Sequence, residues 1–211
     1  VIGNFLVRNV KKMVPPYSLP GKVEFRTMLS RGAGAMFTKV SISSGDLAFL
    51  QYTGGTTGVS KGAMLTHLNV LANVKQGLAW TEPFLDRNEL LVTVTAIPLY
   101  HIFALGMTIN FIGLGGTNVL VADPRNTKAF VAVLAKYPFV SLPAVNTLFN
   151  ALINDPDFAK IDFSKCRFAV GGGTAVQRPV ADRWQTITNS PLCEGYGLTE
   201  GGIVALNPSG A

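Results

Sequence analysis

Short apolar runs alternate with longer helical patterns along most of this 211-residue chain. An aromatic-rich run at 46–52 predicts a buried strand, and helical spacing begins at Thr66, a residue type suited to capping a helix N-terminus. Further strands are predicted at 90–96, 118–122, 139–142, 167–170 and 192–195, and further helices at 102–114, 126–137, 144–154 and 178–188. This alternation indicates an α/β fold with a mostly parallel sheet flanked by helices.

Positive charge is concentrated at the start of the chain. Up to Gly45, one acid, Glu24, stands against seven bases, which account for the whole net charge of +6: Arg8, Lys11, Lys12, Lys22, Arg26, Arg31 and Lys39. We therefore expect a basic lead segment, residues 1–45, that belongs to a larger domain, followed by one α/β body, residues 46–211. The lead segment suits an anionic membrane surface or a phosphorylated ligand, unless its acidic neighbours lie in protein outside this chain. No basic stripe interleaved with aromatics follows, so nucleic acid is not an expected partner.

The composition excludes several other classes of protein. A hydrophobic content of 48% with 14% charged residues excludes a disordered chain and a coiled coil. Two cysteines and two histidines provide neither a disulfide framework nor a full set of zinc ligands, which favours a reducing, cytoplasmic setting. The uncharged run 90–122 is interrupted by proline and glycine, so we interpret it as buried core rather than a membrane span.

The segment from Tyr52 to Gly62, Tyr-Thr-Gly-Gly-Thr-Thr-Gly-Val-Ser-Lys-Gly, carries the strongest chemical signal. Its glycines let the backbone approach an anion, its hydroxyls add donors, and Lys61 supplies a mobile positive charge. This combination predicts a polyphosphate-binding loop. It differs from a Walker A loop, because Gly62 follows Lys61 where a serine or threonine should hold magnesium.

A serine hydrolase is the alternative enzyme class. Gly58-Val-Ser60-Lys-Gly62 fits the G-x-S-x-G pattern, and Asp86 and His101 follow in the order of a triad. However, Ser60 lies well beyond the end of the strand at Tyr52, whereas an elbow serine sits directly at a strand-to-helix turn. Outside enzymes, the alternative is a non-catalytic nucleotide-binding module.

Four segments together resemble the motifs of the acyl-adenylate-forming, or AMP-binding, superfamily. They are the glycine-rich segment 52–63, Pro-Leu-Tyr-His-Ile-Phe at 98–103, Val-Gly-Gly-Gly-Thr at 170–174 and Glu-Gly-Tyr-Gly-Leu-Thr-Glu at 194–200. The sequence around them, such as 63–69 and 146–152, is similar to bacterial long-chain fatty acyl-CoA ligases in particular. The resemblance extends over nearly the whole chain.

This resemblance implies a role for each matching residue. The β- and γ-phosphates of ATP would be held by the phosphate loop, with Thr53, Gly54, Gly55, Thr56, Thr57, Gly58 and Lys61. The adenine and α-phosphate would be met by Gly172, Gly173, Tyr196, Gly197 and Thr199. Glu200 would hold Mg²⁺, and His101 would lie at the acyl carboxylate. The catalytic residues would then be Lys61, His101, Thr199 and Glu200.

The reaction implied by the resemblance is a ligase reaction of fatty acid metabolism. ATP would activate a long-chain fatty acid to an acyl-adenylate, and CoA would then displace AMP. The chain stops soon after Glu200. We therefore expect it to be the central part of a large N-terminal domain, without the small C-terminal domain and its catalytic lysine, and inactive alone. The apolar run 102–114 would wall an acyl tunnel, although core packing explains it as well.

Overall fold

The computed structural model of the chain describes residues 2–53 and 60–207, apart from the side chains of Ile2 and Asn4. Two compact units separate, Val1–Ser41 and Ile42–Ala211. In the first unit, α1 (Ile2–Phe5) continues into a π-helical turn at Leu6–Val10, and α2 spans Phe25–Gly32. The described side chains of this unit are exposed. The sequence pattern had indicated no helix there.

The second unit contains eight described strands and five helices. The strands are β1 (Leu47–Thr53), β2 (Lys61–Thr66), β3 (Val92–Thr95), β4 (Thr117–Leu120), β5 (Ser141–Ala144), β6 (Phe168–Gly171), β7 (Leu192–Leu198) and β8 (Gly202–Leu206). The helices are α3 (His67–Thr81), α4 (Ile102–Gly113), α5 (Thr127–Lys136), α6 (Asn146–Ile153) and α7 (Arg178–Thr188), with short 3₁₀ turns at Glu82–Phe84 and Phe158–Lys160.

Six of these strands form one sheet in the order β4–β3–β5–β6–β7–β8. The first five strands are parallel to their neighbours, and β8 is antiparallel to β7. The predicted α/β fold with a mostly parallel sheet is therefore confirmed. Each parallel connection passes through a helix, which explains why the strand and helix patterns alternate along the sequence.

Both faces of the sheet are covered by helices. In β6, Ala169 packs with the cluster that includes α5, α6 and α7, whereas Phe168 and Val170 pack with the cluster that includes α4. Successive strand side chains point to opposite faces, so this division identifies two separate cores. The cluster on the α5–α7 side centres on Trp184, whose ring lies 5.0 Å from that of Phe149. The run 102–114 is thus a core helix, with Met107 and Phe111 buried.

The strand predicted at 46–52 lies outside the parallel sheet. It is β1, which pairs with β2 in a separate antiparallel hairpin whose register places Thr53 opposite Lys61. The prediction that it is buried is wrong, because Leu50 and Tyr52 are exposed. Strand β2 occupies residues that the sequence pattern had assigned to the glycine-rich loop and to the approach to α3. Strand β8 was also missed.

Local signals located α3 and α7 well and strand β5 less well. Thr66 caps α3 as predicted: its Oγ1 accepts a hydrogen bond from the Asn69 N–H at 3.3 Å, and its own N–H donates to Asn69 Oδ1 at 3.0 Å. Strand β5 runs two residues later than predicted and includes Pro143, which turn chemistry would place outside a strand.

Within residues 2–53 and 60–207, no helix has the length and apolarity to cross a membrane.

Candidate functional site

Three of the sequence motifs line one cavity of about 160 Å³. The cavity lies where β6 ends, where β7 passes into its turn and where α4 begins. It brings together six of the predicted site residues: His101, Gly172, Gly173, Tyr196, Gly197 and Thr199. These residues come from segments about 70 and 25 positions apart in the sequence, so only the sheet topology makes them neighbours. Ligands of parallel sheets bind at this end of the strands.

Bare backbone forms one wall of the cavity. A Cβ on Gly172 would lie 3.2 Å from Phe103 Cε1 and 3.3 Å from the Gly195 carbonyl oxygen, which is tighter than side chains normally pack. Gly173 has a φ of +77°, in the left-handed region that glycine adopts at little cost. This wall therefore lets a flat ligand approach the main chain directly.

The β7–β8 connection presents Tyr196, Thr199 and Glu200. The register of this pair shifts between Tyr196 and Gly197, and a Cβ on Gly197 would lie 2.5 Å from the Gly202 carbonyl oxygen. The two strands approach this closely only because residue 197 is glycine. The Tyr196 side chain is 61% exposed, so its ring face is free for stacking against a ligand.

His101 is held at the N-terminus of α4. Its Nδ1 accepts a hydrogen bond from the Phe103 N–H at 3.3 Å, and its backbone N–H donates to the Pro98 carbonyl at 2.9 Å. An accepting Nδ1 carries no proton, so the neutral ring holds its proton on Nε2. His101 therefore brings a hydrogen-bond donor to the cavity that it lines.

Glu194 is a positioning residue that the sequence analysis did not assign. Its Oε1 accepts a hydrogen bond from the Val176 N–H at 3.0 Å, and the Gln177 N–H donates to Asn146 Oδ1 at 3.0 Å. Together these bonds hold the far end of the glycine-rich 171–176 loop. Its place at the start of the motif at 194–200 was the only signal in the sequence that pointed to it.

The segment predicted to bind phosphate is described only at its two ends. Gly54, Gly55, Thr56, Thr57 and Gly58 lie outside the described residues. At the ends, Thr53 Oγ1 donates to the Lys61 carbonyl at 3.4 Å, and the Lys61 side chain is exposed. Lys61 and Thr53 are absent from the lining of the 160 Å³ cavity, so the structure does not bring them to the other site residues.

The hairpin is nevertheless linked to the segment that carries His101. The Gln51 side-chain amide in β1 donates a hydrogen bond to the Tyr100 carbonyl, next to His101. Ser60 lies in this hairpin, immediately before β2, and is exposed. A hairpin lacks the strand-to-helix turn of a nucleophile elbow, so its geometry does not favour the hydrolase interpretation.

Glu200 is exposed in the β7–β8 turn and lines a small neighbouring cavity with Asn69 and Ile102. No cluster of three potential metal ligands occurs in the part of the chain that the structure describes. A single exposed carboxylate fits Mg²⁺, because this ion keeps several waters and is held by one or two carboxylates plus substrate phosphates.

A larger cavity of about 530 Å³ lies between α3, α4 and β8. It shares three lining residues with the smaller cavity, Val170, Ile203 and Leu206, so the two spaces have a common wall. The remaining lining combines apolar side chains, such as Trp80 from α3 and Met107 from α4, with four polar ones: Asn73, Gln76, Thr81 and Asn110. The run 102–114, which was expected either to wall an acyl tunnel or to pack in the core, contributes Met107 and Asn110 to this lining.

Comparison with known proteins places these features in a family. The AMP-binding enzyme family model matches residues 10–211. A long-chain-fatty-acid–CoA ligase of Salmonella typhimurium is 52% identical over 207 residues, covering 97% of this chain and 37% of that protein. A ligase of the same name from Haemophilus influenzae is 50% identical, covering 93% of this chain and 35% of that protein. The chain thus spans little more than a third of the length of these relatives.

Solved structures share the fold. An ATP-bound RpMatB-BxBclM chimera is 27% identical with a TM-score of 0.73, over 88% of this chain and 36% of the other. The N-terminal domain of FACL13 from Mycobacterium tuberculosis is 22% identical with a TM-score of 0.76, over 95% of this chain and 50% of the other. The resemblance of the four motifs is confirmed by the family match, and the chain belongs to the AMP-binding enzyme family.

Proposed function

We propose that a longer protein carrying this chain uses ATP to activate a long-chain fatty acid and transfers the acyl group to CoA. The observation that carries the proposal is the convergence of three motifs on one cavity that shares a wall with a larger apolar cavity. The 50–52% identical relatives are long-chain-fatty-acid–CoA ligases, which supports a long-chain fatty acid and CoA as substrates.

The smaller cavity suits the nucleoside part of ATP. The backbone at Gly172 and Gly173 and the ring of Tyr196 offer flat surfaces for adenine, and Thr199 offers a hydroxyl to the α-phosphate. In this proposal the phosphate loop, with Thr53 and Lys61 at its ends, meets the β- and γ-phosphates. The ATP bound to the 27% identical chimera supports a nucleotide role for this fold.

Glu200 would hold Mg²⁺ together with phosphate oxygens, and the ion would neutralise charge on the triphosphate. The contribution of this chain is to keep that carboxylate exposed in the β7–β8 turn, directly after Thr199.

The proposed chemistry has two displacements. A carboxylate oxygen of the fatty acid attacks the α-phosphorus, and pyrophosphate leaves. The thiol of CoA then attacks the acyl carbonyl, loses its proton, and AMP leaves. His101, with its proton on Nε2, would orient the carboxylate, while Lys61 and Thr199 would stabilise charge on the phosphates.

The larger cavity would take the acyl chain. Its shared wall with the smaller cavity places an apolar space next to the proposed acyl carboxylate, and burial of methylene groups there is favourable. We also propose a cytoplasmic reaction in which the basic residues of the lead segment, 1–45, contact anionic lipid at the inner membrane face.

The test is ATP-dependent pyrophosphate release and acyl-CoA formation by the full-length protein that carries this chain, with acids of graded length. Lys61→Ala should weaken ATP use roughly 10- to 100-fold, as expected for loss of a charge-assisted bond to phosphate. The control Lys75→Ala removes an exposed lysine of α3 and should leave ATP use unchanged. Ester hydrolysis that Ser60→Ala abolishes, without pyrophosphate release by the parent protein, would support the hydrolase instead.

A further inference from the structure

We propose that the larger cavity accepts an acyl chain that carries a hydroxyl group, and that Asn110 recognises this hydroxyl. The inference rests on the proposed function, because it narrows the class of fatty acid that the cavity takes. Its starting point is a buried amide in the cavity wall whose oxygen has no hydrogen-bond partner among the described residues.

Asn110 lies on α4, lines the cavity and is 4% exposed. Its Oδ1 is buried and has no hydrogen-bond partner among the described residues. Leaving a buried amide oxygen without a donor is unfavourable, because the oxygen has lost its bonds to water and gained none in the protein. A leucine of similar size would fill the same position without this cost, so packing does not explain an asparagine here.

Three other polar side chains of the cavity, Asn73, Gln76 and Thr81, already form hydrogen bonds. Asn73 bonds with the backbone of Ile203 through both atoms of its amide, and Thr81 Oγ1 donates to the Leu78 carbonyl at 3.2 Å. Gln76 Oε1 accepts from Asn73 Nδ2 at 3.3 Å. Among the lining residues described, Asn110 is therefore the one with a buried side-chain atom that lacks a hydrogen-bond partner.

Gly77 on α3 makes room for this amide. A Cβ at residue 77 would lie 2.5 Å from Asn110 Nδ2, a separation that real side chains do not adopt. The absence of a side chain at 77 lets the amide lie against the backbone of α3 within the cavity wall. The Asn110 amide is therefore a polar group that lies between α3 and α4 at the cavity wall.

A hydroxyl group on the acyl chain can form hydrogen bonds with this amide. It has one donor for Oδ1 and two lone pairs that can accept from the amide nitrogen. A plain methylene chain leaves Oδ1 unsatisfied, whereas a hydroxyl on the carbon that passes Asn110 satisfies it. A net hydrogen bond of ordinary strength corresponds to about a five-fold preference. The competing occupant is a trapped water molecule, which would remove any preference.

The experiment compares hexadecanoic acid with monohydroxy-hexadecanoic acids whose hydroxyl is moved along the chain. The full-length protein that carries this chain is assayed for kcat/KM of acyl-CoA formation, and acid binding is measured by calorimetry. We expect one optimal hydroxyl position, preferred about five-fold over its neighbours. Asn110→Leu should abolish the optimum and improve the use of hexadecanoic acid.

Thr108→Val is the matched control. Its hydroxyl is also buried without a partner among the described residues, two positions earlier on α4, but Thr108 does not line the cavity. This variant should keep the optimum. A second variant, Gly77→Ala, should displace the amide and flatten the profile in the same way as Asn110→Leu.

A flat profile in the unmodified protein, or an optimum that persists in Asn110→Leu, would overturn the inference. If Asn110→Leu does not fold, the series of hydroxy acids assayed with the unmodified protein and with Gly77→Ala still tests whether one hydroxyl position is preferred. If no acid yields acyl-CoA, the proposed function fails, and the binding profile then tests Asn110 separately. Activation of hexadecanoic acid with a flat hydroxyl profile would leave the function standing and remove only the role of Asn110.

Discussion

The side chain of Asn73 holds both polar groups of the Ile203 backbone. Its Nδ2 donates to the Ile203 carbonyl at 2.7 Å, and its Oδ1 accepts from the Ile203 N–H at 3.2 Å. These residues are 130 positions apart, and their contact joins α3 to the start of strand β8. The neighbouring Gly202 has a φ of +70°, and a Cβ there would collide with the Asn73 amide. This contact therefore supports the turn that carries Thr199 and Glu200.

Asn73→Ala should lower the free energy of unfolding by about 1–3 kcal/mol, because two partly buried backbone groups lose their partner. Urea unfolding followed by circular dichroism measures the change. The control Gln185→Ala shortens an exposed amide of α7 and should stay within about 0.5 kcal/mol. Equal stability of the two variants would show that the contact does not hold α3 and β8 together.

Gly197→Ala should disrupt the β7–β8 turn, since its Cβ would lie 2.5 Å from the Gly202 carbonyl oxygen. We expect the full-length protein to bind nucleotide roughly ten-fold or more weakly, which corresponds to a loss of about 1.4 kcal/mol or more of binding free energy. Gly201→Ala is the control in the same turn, because its Cβ meets only Val204 Cγ2 at 3.9 Å. Equal binding by both variants would contradict the close approach at Gly197.

Burial raises the pKa of the Cys166 and Cys193 thiols from 9.0 to about 11. Because the folded pKa exceeds the unfolded one, the stability that these protonated thiols contribute is complete below pH 9. It is lost as the pH rises through about 11. Unfolding free energies measured from pH 8 to 11 should therefore fall more steeply for the unmodified chain than for the Cys166→Ala, Cys193→Ala double variant. If the unfolding free energies of the two proteins fall equally with pH, the raised pKa values of the thiols are contradicted.

The 211-residue chain alone should form no detectable acyl-CoA, since it spans 37% of the Salmonella ligase. Closure of a second domain commonly completes a catalytic site and excludes water from it. The 160 Å³ cavity is also smaller than a typical ligand pocket, so nucleotide binding should be weak. Calorimetry with ATP and Mg²⁺ and a thioester assay measure both properties. Robust thioester formation by the purified chain would show that the essential chemistry lies within these residues.

The local sequence determined much of this protein. The alternation of apolar runs and helical patterns indicated the α/β fold, Thr66 marked the start of α3, and the four motifs identified the family. These features could be predicted because each depends on residues that are close in the chain. A helix cap depends on the residue three positions later, the fold class on the order of apolar and helical patterns, and a motif on the spacing of its own residues.

Only the tertiary structure decided which segments pair and what lies between them. Several features depend on contacts between residues that are not adjacent in sequence. They are the β1–β2 hairpin, the pairing of β8 with β7, the Asn73–Ile203 contact and the position of Asn110 opposite Gly77. Strand preference depends largely on cross-strand and same-face neighbours, so a short run such as Gly202–Leu206 carries little signal by itself. Whether a buried amide finds a partner likewise depends on the packing of two helices, which the sequence of neither helix specifies.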